Sequence, residues 1–167
     1  HMDYVYMACD ATLQVLDQQA DSWLPPTGSG LGANWIDAEI FSVVNSTSHT
    51  LQRFYVDSGD GSIRPVGSVD LGLDRNTSPY AVCLLPDHFV AVTNLLANSV
   101  SIVDLNEMEI VNEFPVGRAP EGILASRDTL YVINTGYDFS DYSFHNGSLY
   151  KMTADSGAVI DSLQRGM

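Results

Sequence analysis

Apolar and polar residues alternate in three short segments between residues 89 and 117. The segments read VAVTN, VSIVDL and EIVNEF, and short polar stretches separate them. Because successive side chains of a strand point to opposite faces, this alternation predicts three β-strands joined by tight turns. The stretch ends on PVG, and a similar pattern then begins again.

The strand that ends in asparagine recurs along the chain. FSVVN ends at Asn45, VAVTN ends at Asn94 and YVINT carries Asn134, at intervals of 49 and 40 residues. Two further alternating segments follow each asparagine. Another apolar segment precedes the last two of these strands, and its prolines, Pro79 and Pro120, are 41 residues apart. Intervals of this size are typical of four-stranded propeller blades.

The predicted fold class is therefore all-β, with about four antiparallel blades and no competing helical periodicity. The approximate units are residues 1–26, 27–72, 73–117 and 118–167, within a single domain. The first unit supplies only its last three strands, because no entry strand precedes YVYMAC. Residues 1–2 resemble the remnant of a cloning tag.

Residues 79–135 carry the motifs VAVTN, VSIVDL, FPVG, APEGILAS and LYVINT. This succession resembles the YVTN-type β-propeller repeat family, which includes surface-layer and periplasmic propellers. The resemblance weakens toward the ends of the chain and implies a fold rather than an activity. Propellers close with four to eight blades, so we expect either a fragment of a larger propeller or copies that associate through open blade edges.

The charge balance excludes some partners. Seven Lys and Arg residues stand against 21 Asp and Glu residues, for a net charge of −14. Such a chain repels nucleic-acid phosphate, so no nucleic-acid partner is expected. No apolar run is long enough to span a membrane. The family resemblance implies a periplasmic, extracellular or cell-surface location, and we expect that an export signal is missing from this sequence.

Two cysteines, Cys9 and Cys83, lie in apolar strand-like segments. They are expected to pack as small buried side chains, although a disulfide between them is the alternative. Neither cysteine has the spacing of a zinc ligand, and no metal or cofactor is predicted.

Long loops are predicted on one face of the propeller, where binding residues usually lie. The longest, residues 135–148, mixes aromatic, carboxylate and imidazole groups, which can stack on a polar ligand and hydrogen-bond to it. The candidate ligand-binding residues of this loop are Tyr137, Asp138, Asp141, Tyr142 and His145. A small molecule, a carbohydrate or a protein could be the ligand. The alternative is a structural lid in which the aromatic side chains pack on the blade.

Asn94, Arg118 and Glu121 complete the candidate ligand-binding set. Asn94 shares its repeat position with Asn45 and Asn134, so the alternative is a common structural role in which each amide bonds neighbouring backbone. Arg118 and Glu121 flank Pro120, and the alternative is a salt bridge between them that locks adjacent blades.

Other polar groups are expected to be structural. His49 and His145 are expected to be exposed loop histidines. Asp57 and Asp60 are expected to lie in a hairpin turn, because their spacing does not match a calcium loop.

These observations favour a non-catalytic binding or scaffold module. The alternative is a fragment of a propeller enzyme, either a lactonase or a quinoprotein-like oxidoreductase, whose active site would need further blades. No nucleophile elbow, phosphate-binding loop or dinucleotide motif is present in the sequence.

Overall fold

A computed structural model of the chain describes residues 4–8, 13–17, 22–23, 32–35, 40–57 and 59–165. Its regular structure is nearly all antiparallel strand, as predicted. Two single-turn 3₁₀ helices, Leu73–Arg75 and Pro86–His88, interrupt the strands. No helix within these ranges has the length and apolar character that a membrane crossing requires.

The strands form four main sheets in chain order. The first sheet has three strands: β1 (Tyr4–Ala8), β2 (Leu13–Asp17) and β3 (Ser22–Trp23). The second has four: β4 (Gly32–Trp35), β5 (Ile40–Asn45), β6 (Thr50–Val56) and β7 (Ile63–Asp70). The third also has four: β8 (Pro79–Leu84), β9 (Phe89–Asn94), β10 (Ser99–Asp104) and β11 (Glu109–Pro115).

The fourth sheet contains an additional hairpin between its second and third strands. Its strands are β12 (Pro120–Ser126), β13 (Thr129–Asn134), β16 (Gly147–Thr153) and β17 (Val159–Arg165). The hairpin pairs β14 (Tyr137–Asp138) with β15 (Ser143–Phe144). Each main sheet lies within one of the four predicted units, whose boundaries remain a prediction.

The last strand pair of three sheets shows the same irregularity. The register shifts directly after Arg53 in the second sheet, after Ile102 in the third and after Lys151 in the fourth. A β-bulge bends a strand and increases its twist. Its return at the equivalent position shows that the three sheets are copies of one structural unit.

The third sheet is buried on both faces, because its strands alternate between two apolar clusters. Val90 and Val92 lie in a cluster with the second sheet, whereas Ala91 lies in a cluster with the fourth. The first cluster consists of Val44, Leu51, Val69, Leu71, Val90, Val92, Val103 and Leu105. The second consists of Cys83, Leu85, Ala91, Val100, Ile102, Leu130, Val132 and Met152. Burial of this apolar surface holds the sheets together.

Polar side chains also connect neighbouring sheets, and His49 is one of them. Contrary to the prediction of an exposed histidine, His49 is buried. Its Nδ1 atom accepts a hydrogen bond of 2.9 Å from the backbone N–H of Ser78. Arg53 donates a bond of 2.7 Å to the carbonyl of Leu105. Both bonds join the second sheet, or its turn, to the third.

The recurring asparagines are buried at the ends of their strands. The side-chain nitrogen of Asn45 donates to Thr50 Oγ1 at 3.1 Å, and that of Asn94 donates to Ser99 Oγ at 3.0 Å. Asn134 donates to its equivalent partner, Ser148 Oγ, also at 3.0 Å. All three asparagines therefore bind hydroxyl groups of the next strand, which is a common structural role at one repeat position.

The turn after β6 and the buried cysteine agree with their expected structural roles. Asp57 accepts a bond from the backbone N–H of Gly59, and Asp60 accepts one from Ser62, each at 2.8 Å. Side-chain oxygens that bond backbone two residues ahead are typical of tight turns. Cys83 is a free, buried thiol, whereas Cys9 lies outside the described residues.

Candidate functional site

The long loop of the fourth sheet is fixed at its base by Gly136. Its backbone N–H donates to the carbonyl of Arg118 at 3.0 Å, and its carbonyl accepts from the N–H of His145 at 2.8 Å. Gly136 has a φ of 76°, and a Cβ there would lie 2.7 Å from the carbonyl oxygen of His145. Only glycine fits such a position without strain. The loop is therefore attached to the entry of its own sheet.

The aromatic side chains of the loop fall into two groups. The Tyr137 ring lies 4.8 Å from the Phe139 ring, edge to face, and 4.9 Å from the Phe144 ring, measured between centroids. Such pairs stabilise the loop itself. Tyr142, by contrast, exposes 79% of its surface and has a left-handed backbone, with a φ of 59°. Tyr137 therefore packs within the hairpin, whereas Tyr142 is exposed.

A charged cluster lies beside these rings. Arg118 donates a hydrogen bond to Asp138 Oδ2 as part of an ion pair. The hydroxyl and the backbone N–H of Ser140 donate to Asp138 Oδ1 at 2.6 and 2.9 Å. The bonds from Ser140, together with the charge of Arg118, lower the pKa of Asp138 to about 2. The carboxylate is therefore ionised at neutral pH.

Two further candidates complete the cluster. His145 Nε2 lies 3.6 Å from Asp138 Oδ2, and Asp141 Oδ1 accepts a 2.7 Å bond from the hydroxyl of Ser143. One donor atom from each of Asp138, Asp141 and His145 lies within 4.8 Å of the others. Oxygen and imidazole donors at this spacing could hold a divalent cation. Arg118 already neutralises part of the negative charge.

The structure does not pair Arg118 with Glu121, so the alternative of a salt bridge between them was wrong. Arg118 turns to Asp138 in the loop, and Glu121 accepts a bond of 3.0 Å from Thr135 Oγ1. Both residues nevertheless contact the segment that leads into the loop. Side chains around the start of β12 are thereby joined to the loop, by contacts between residues that lie 20 and 14 positions apart in the sequence.

Asn94 does not join this cluster. It lies in the third sheet with none of its surface exposed, and its side-chain nitrogen donates to Ser99 and to Ser101 at 3.0 and 2.8 Å. The side-chain oxygen has no hydrogen-bond partner among the described residues. The side-chain nitrogen thus forms hydrogen bonds within the third sheet, and a ligand role for Asn94 remains a prediction.

A cavity that the sequence did not indicate lies between the third and fourth sheets, at the end opposite the long loop. Its volume is about 460 Å³. Leu85, Phe89 and Ile102 contribute apolar surface, and Asp128 and Asp155 add carboxylates from two turns. In the sequence these apolar residues are indistinguishable from strand core, and the aspartates from ordinary turn residues. The apposition of two sheets creates the cavity, and no local pattern signals it.

Comparison with solved structures establishes the class of the fold. The hydrazine synthase of Kuenenia stuttgartiensis is similar over 98% of this chain and 46% of its own, with 15% identity and a TM-score of 0.77. The WD40 repeats of RRP9 match over 99% and 48%, with 12% identity and a TM-score of 0.72. BamB from Moraxella catarrhalis matches over 99% and 50%, with 11% identity and a TM-score of 0.68.

These likenesses and the four sheets define the chain as β-propeller structure. The chain spans about half the length of the structures it matches. No family model matches the sequence, and no curated protein matches it. At such identities the neighbours share the fold alone, and the YVTN-type repeat family remains a resemblance.

Proposed function

We propose that this chain is a non-catalytic binding or scaffold part of a β-propeller, and that residues 135–148 contact its ligand. The exposure of Tyr142 carries the proposal, because 79% of a large aromatic side chain lies in solvent on a loop that internal bonds hold in place. Fixing a loop in advance reduces the entropy lost on binding. Aromatic and arginine side chains are also the groups that dominate protein interfaces.

The neighbouring groups suit a polar partner. Arg118, Asp138, Asp141 and His145 offer donors and acceptors within one cluster, and Phe144 exposes 56% of its surface beside them. A carbohydrate or a peptide could stack on the rings and hydrogen-bond to the charged groups. Between these classes we favour a peptide segment of a partner protein, because the aromatic groups lie on a hairpin rather than in the cavity between the sheets.

The family resemblance supports an exported or cell-surface location for this activity. The enzyme alternative draws less support from the described residues. Propeller enzymes gather active-site residues from several blades around a central channel, whereas this cluster belongs to the fourth sheet alone. Similar structures include hydrazine synthase and a dihydro-heme d1 dehydrogenase, but identities of 15% and 13% extend the likeness no further than the fold.

The test is a binding screen against an array of immobilised peptides and, in parallel, an array of oligosaccharides. We expect a peptide to bind, and Tyr142→Ala to weaken its binding several-fold, since a stacking contact contributes about 0.5–1.5 kcal/mol. Tyr80→Ala is the matched control, because Tyr80 is 38% exposed on the third sheet. The proposal fails if Tyr142→Ala leaves binding intact and lowers the melting temperature instead.

A further inference from the structure

The outer face of the fourth sheet carries exposed aliphatic side chains. Leu124, Ile133, Leu149 and Leu163 expose 63, 55, 38 and 65% of their surface. They share one face, because Ile133 lies opposite Leu149, and Leu149 lies opposite Leu163. Leu124 lies opposite Tyr131, which is two residues from Ile133 on the same strand. An apolar patch of this kind usually marks an interaction surface.

The exposed residues of this face occupy the same register positions as the residues that pack the third sheet against the fourth. Asn94 and Asn134 align the third and fourth sheets, since each lies opposite the first proline of its own sheet. Three residues before each asparagine, Ala91 lies opposite Cys83 and Tyr131 lies opposite Leu124. Leu124 is thus the counterpart of Cys83.

The next strands extend the correspondence. Ser99 lies opposite Asn94 as Ser148 lies opposite Asn134, so Leu149 is the counterpart of Val100. Val100 lies opposite Phe114 as Leu149 lies opposite Leu163. In the third sheet Cys83, Val100 and Phe114 pack against the fourth sheet. The fourth sheet repeats these three positions with exposed leucines, whereas Lys151 stands at the position of the buried Ile102.

We infer that a second copy of this chain covers the face, with the first sheet of the partner packed on the fourth sheet of its neighbour. The chain aligns almost completely with propellers of about twice its length, so two copies provide the length of one such protein. Strand β1 reads YVYMA, which is apolar at every position and typical of a strand covered on both faces. A contact between two different faces can close into a ring.

The net charge of the chain predicts how the salt concentration affects this association. Two copies at −14 each repel one another, and dissolved salt screens that repulsion. The association should therefore strengthen as the salt concentration rises. An interface held mainly by charge pairs would instead weaken.

The test measures the mass of the full chain by sedimentation velocity and light scattering at several concentrations. We expect a dimer that is more stable at 0.5 M than at 0.05 M sodium chloride. The double variant Leu124→Asp with Leu163→Asp should be a monomer with an unchanged circular dichroism spectrum. Leu73→Asp is the control, because Leu73 is 59% exposed in the turn before the third sheet, and this variant should remain a dimer.

A monomeric wild-type chain overturns the inference and leaves the face to a further blade or another protein. A dimer that survives the double substitution also overturns it, as does an open series of larger oligomers. If the aspartate variant does not fold, Leu124→Gln with Leu163→Gln replaces it and must show the same loss of the dimer. Peptide binding by Tyr142 is measured separately, so either proposal can fail without the other.

Discussion

Gly117 lies against the side-chain amide of Asn134. A Cβ on Gly117 would come within 2.7 Å of the amide carbon and 2.8 Å of the hydroxyl of Ser148. Asn134 is buried and bonded to that same hydroxyl, so it has little room to yield. The glycine that closes PVG and the asparagine of the following unit are therefore two halves of one contact.

Gly117→Ala should destabilise the chain by about 1–3 kcal/mol, because the added methyl overpacks this contact. Urea unfolding followed by circular dichroism measures the change. In an Asn134→Ala background the same substitution should cost clearly less, since the clashing amide is gone. Equal costs in both backgrounds would show that the two residues are not coupled.

Replacing His49 by alanine should cost about 1–3 kcal/mol, because the backbone N–H of Ser78 would lose its acceptor at a partly buried position. Thermal unfolding measures the loss. His88→Ala is the control, since His88 is exposed, and substitutions at such positions usually change stability by less than about 0.5 kcal/mol. A similar loss in both variants would contradict a specific role for His49.

The carboxyl group of Asp138 should titrate with a midpoint near 2 when followed by carbon NMR. Because folding lowers its pKa, the stability it contributes is present above the ordinary carboxyl pKa of 3.8 and is lost as the pH falls toward 2. Ser140→Ala should raise the midpoint, since the hydrogen bond from the Ser140 hydroxyl is the largest cause, and Arg118→Gln should also raise it. Asp60, in the second sheet, should keep its midpoint in both variants. A midpoint near 4 in the wild-type protein would contradict the geometry.

Cys83 should resist thiol reagents in the folded protein, because burial raises its pKa to about 12 and leaves almost no thiolate at pH 8. A Cys9→Ser variant isolates its reaction with an aromatic disulfide reagent. The expected result is a rate below one hundredth of that in 6 M guanidinium chloride. Rapid labelling without denaturant would indicate that the third and fourth sheets separate easily.

Alternation along the chain was sufficient to predict the strands and the repeat, because strand periodicity is local and the same motif occurs three times. The structural role of His49 was not predictable in this way. His49 adopts a left-handed backbone, with a φ of 55°, and its partner Ser78 is 29 residues away. The sequence NSTSHT indicates a turn, but it does not show that His49 in this turn accepts a hydrogen bond from Ser78.

The candidate site was predicted in composition and only partly in geometry. The excess length of 135–148 and its mixture of rings and charges marked the segment, since both can be read from the sequence. The sequence could not show that Tyr137 packs against other rings while Tyr142 is exposed, because this difference depends on how the hairpin folds. The pairing of Arg118 with Asp138 likewise depends on the attachment of the loop at Gly136.

The burial of the third sheet on both faces has a consequence for how the chain opens. Local unfolding costs least where one face already meets water. In the monomeric variant Leu124→Asp with Leu163→Asp, backbone amides of β9 and β10 should therefore exchange with deuterium more slowly than those of β17, whose sheet is covered on only one face within this chain. Local unfolding should therefore begin at the fourth sheet, and the amides of the third sheet should be the last to exchange.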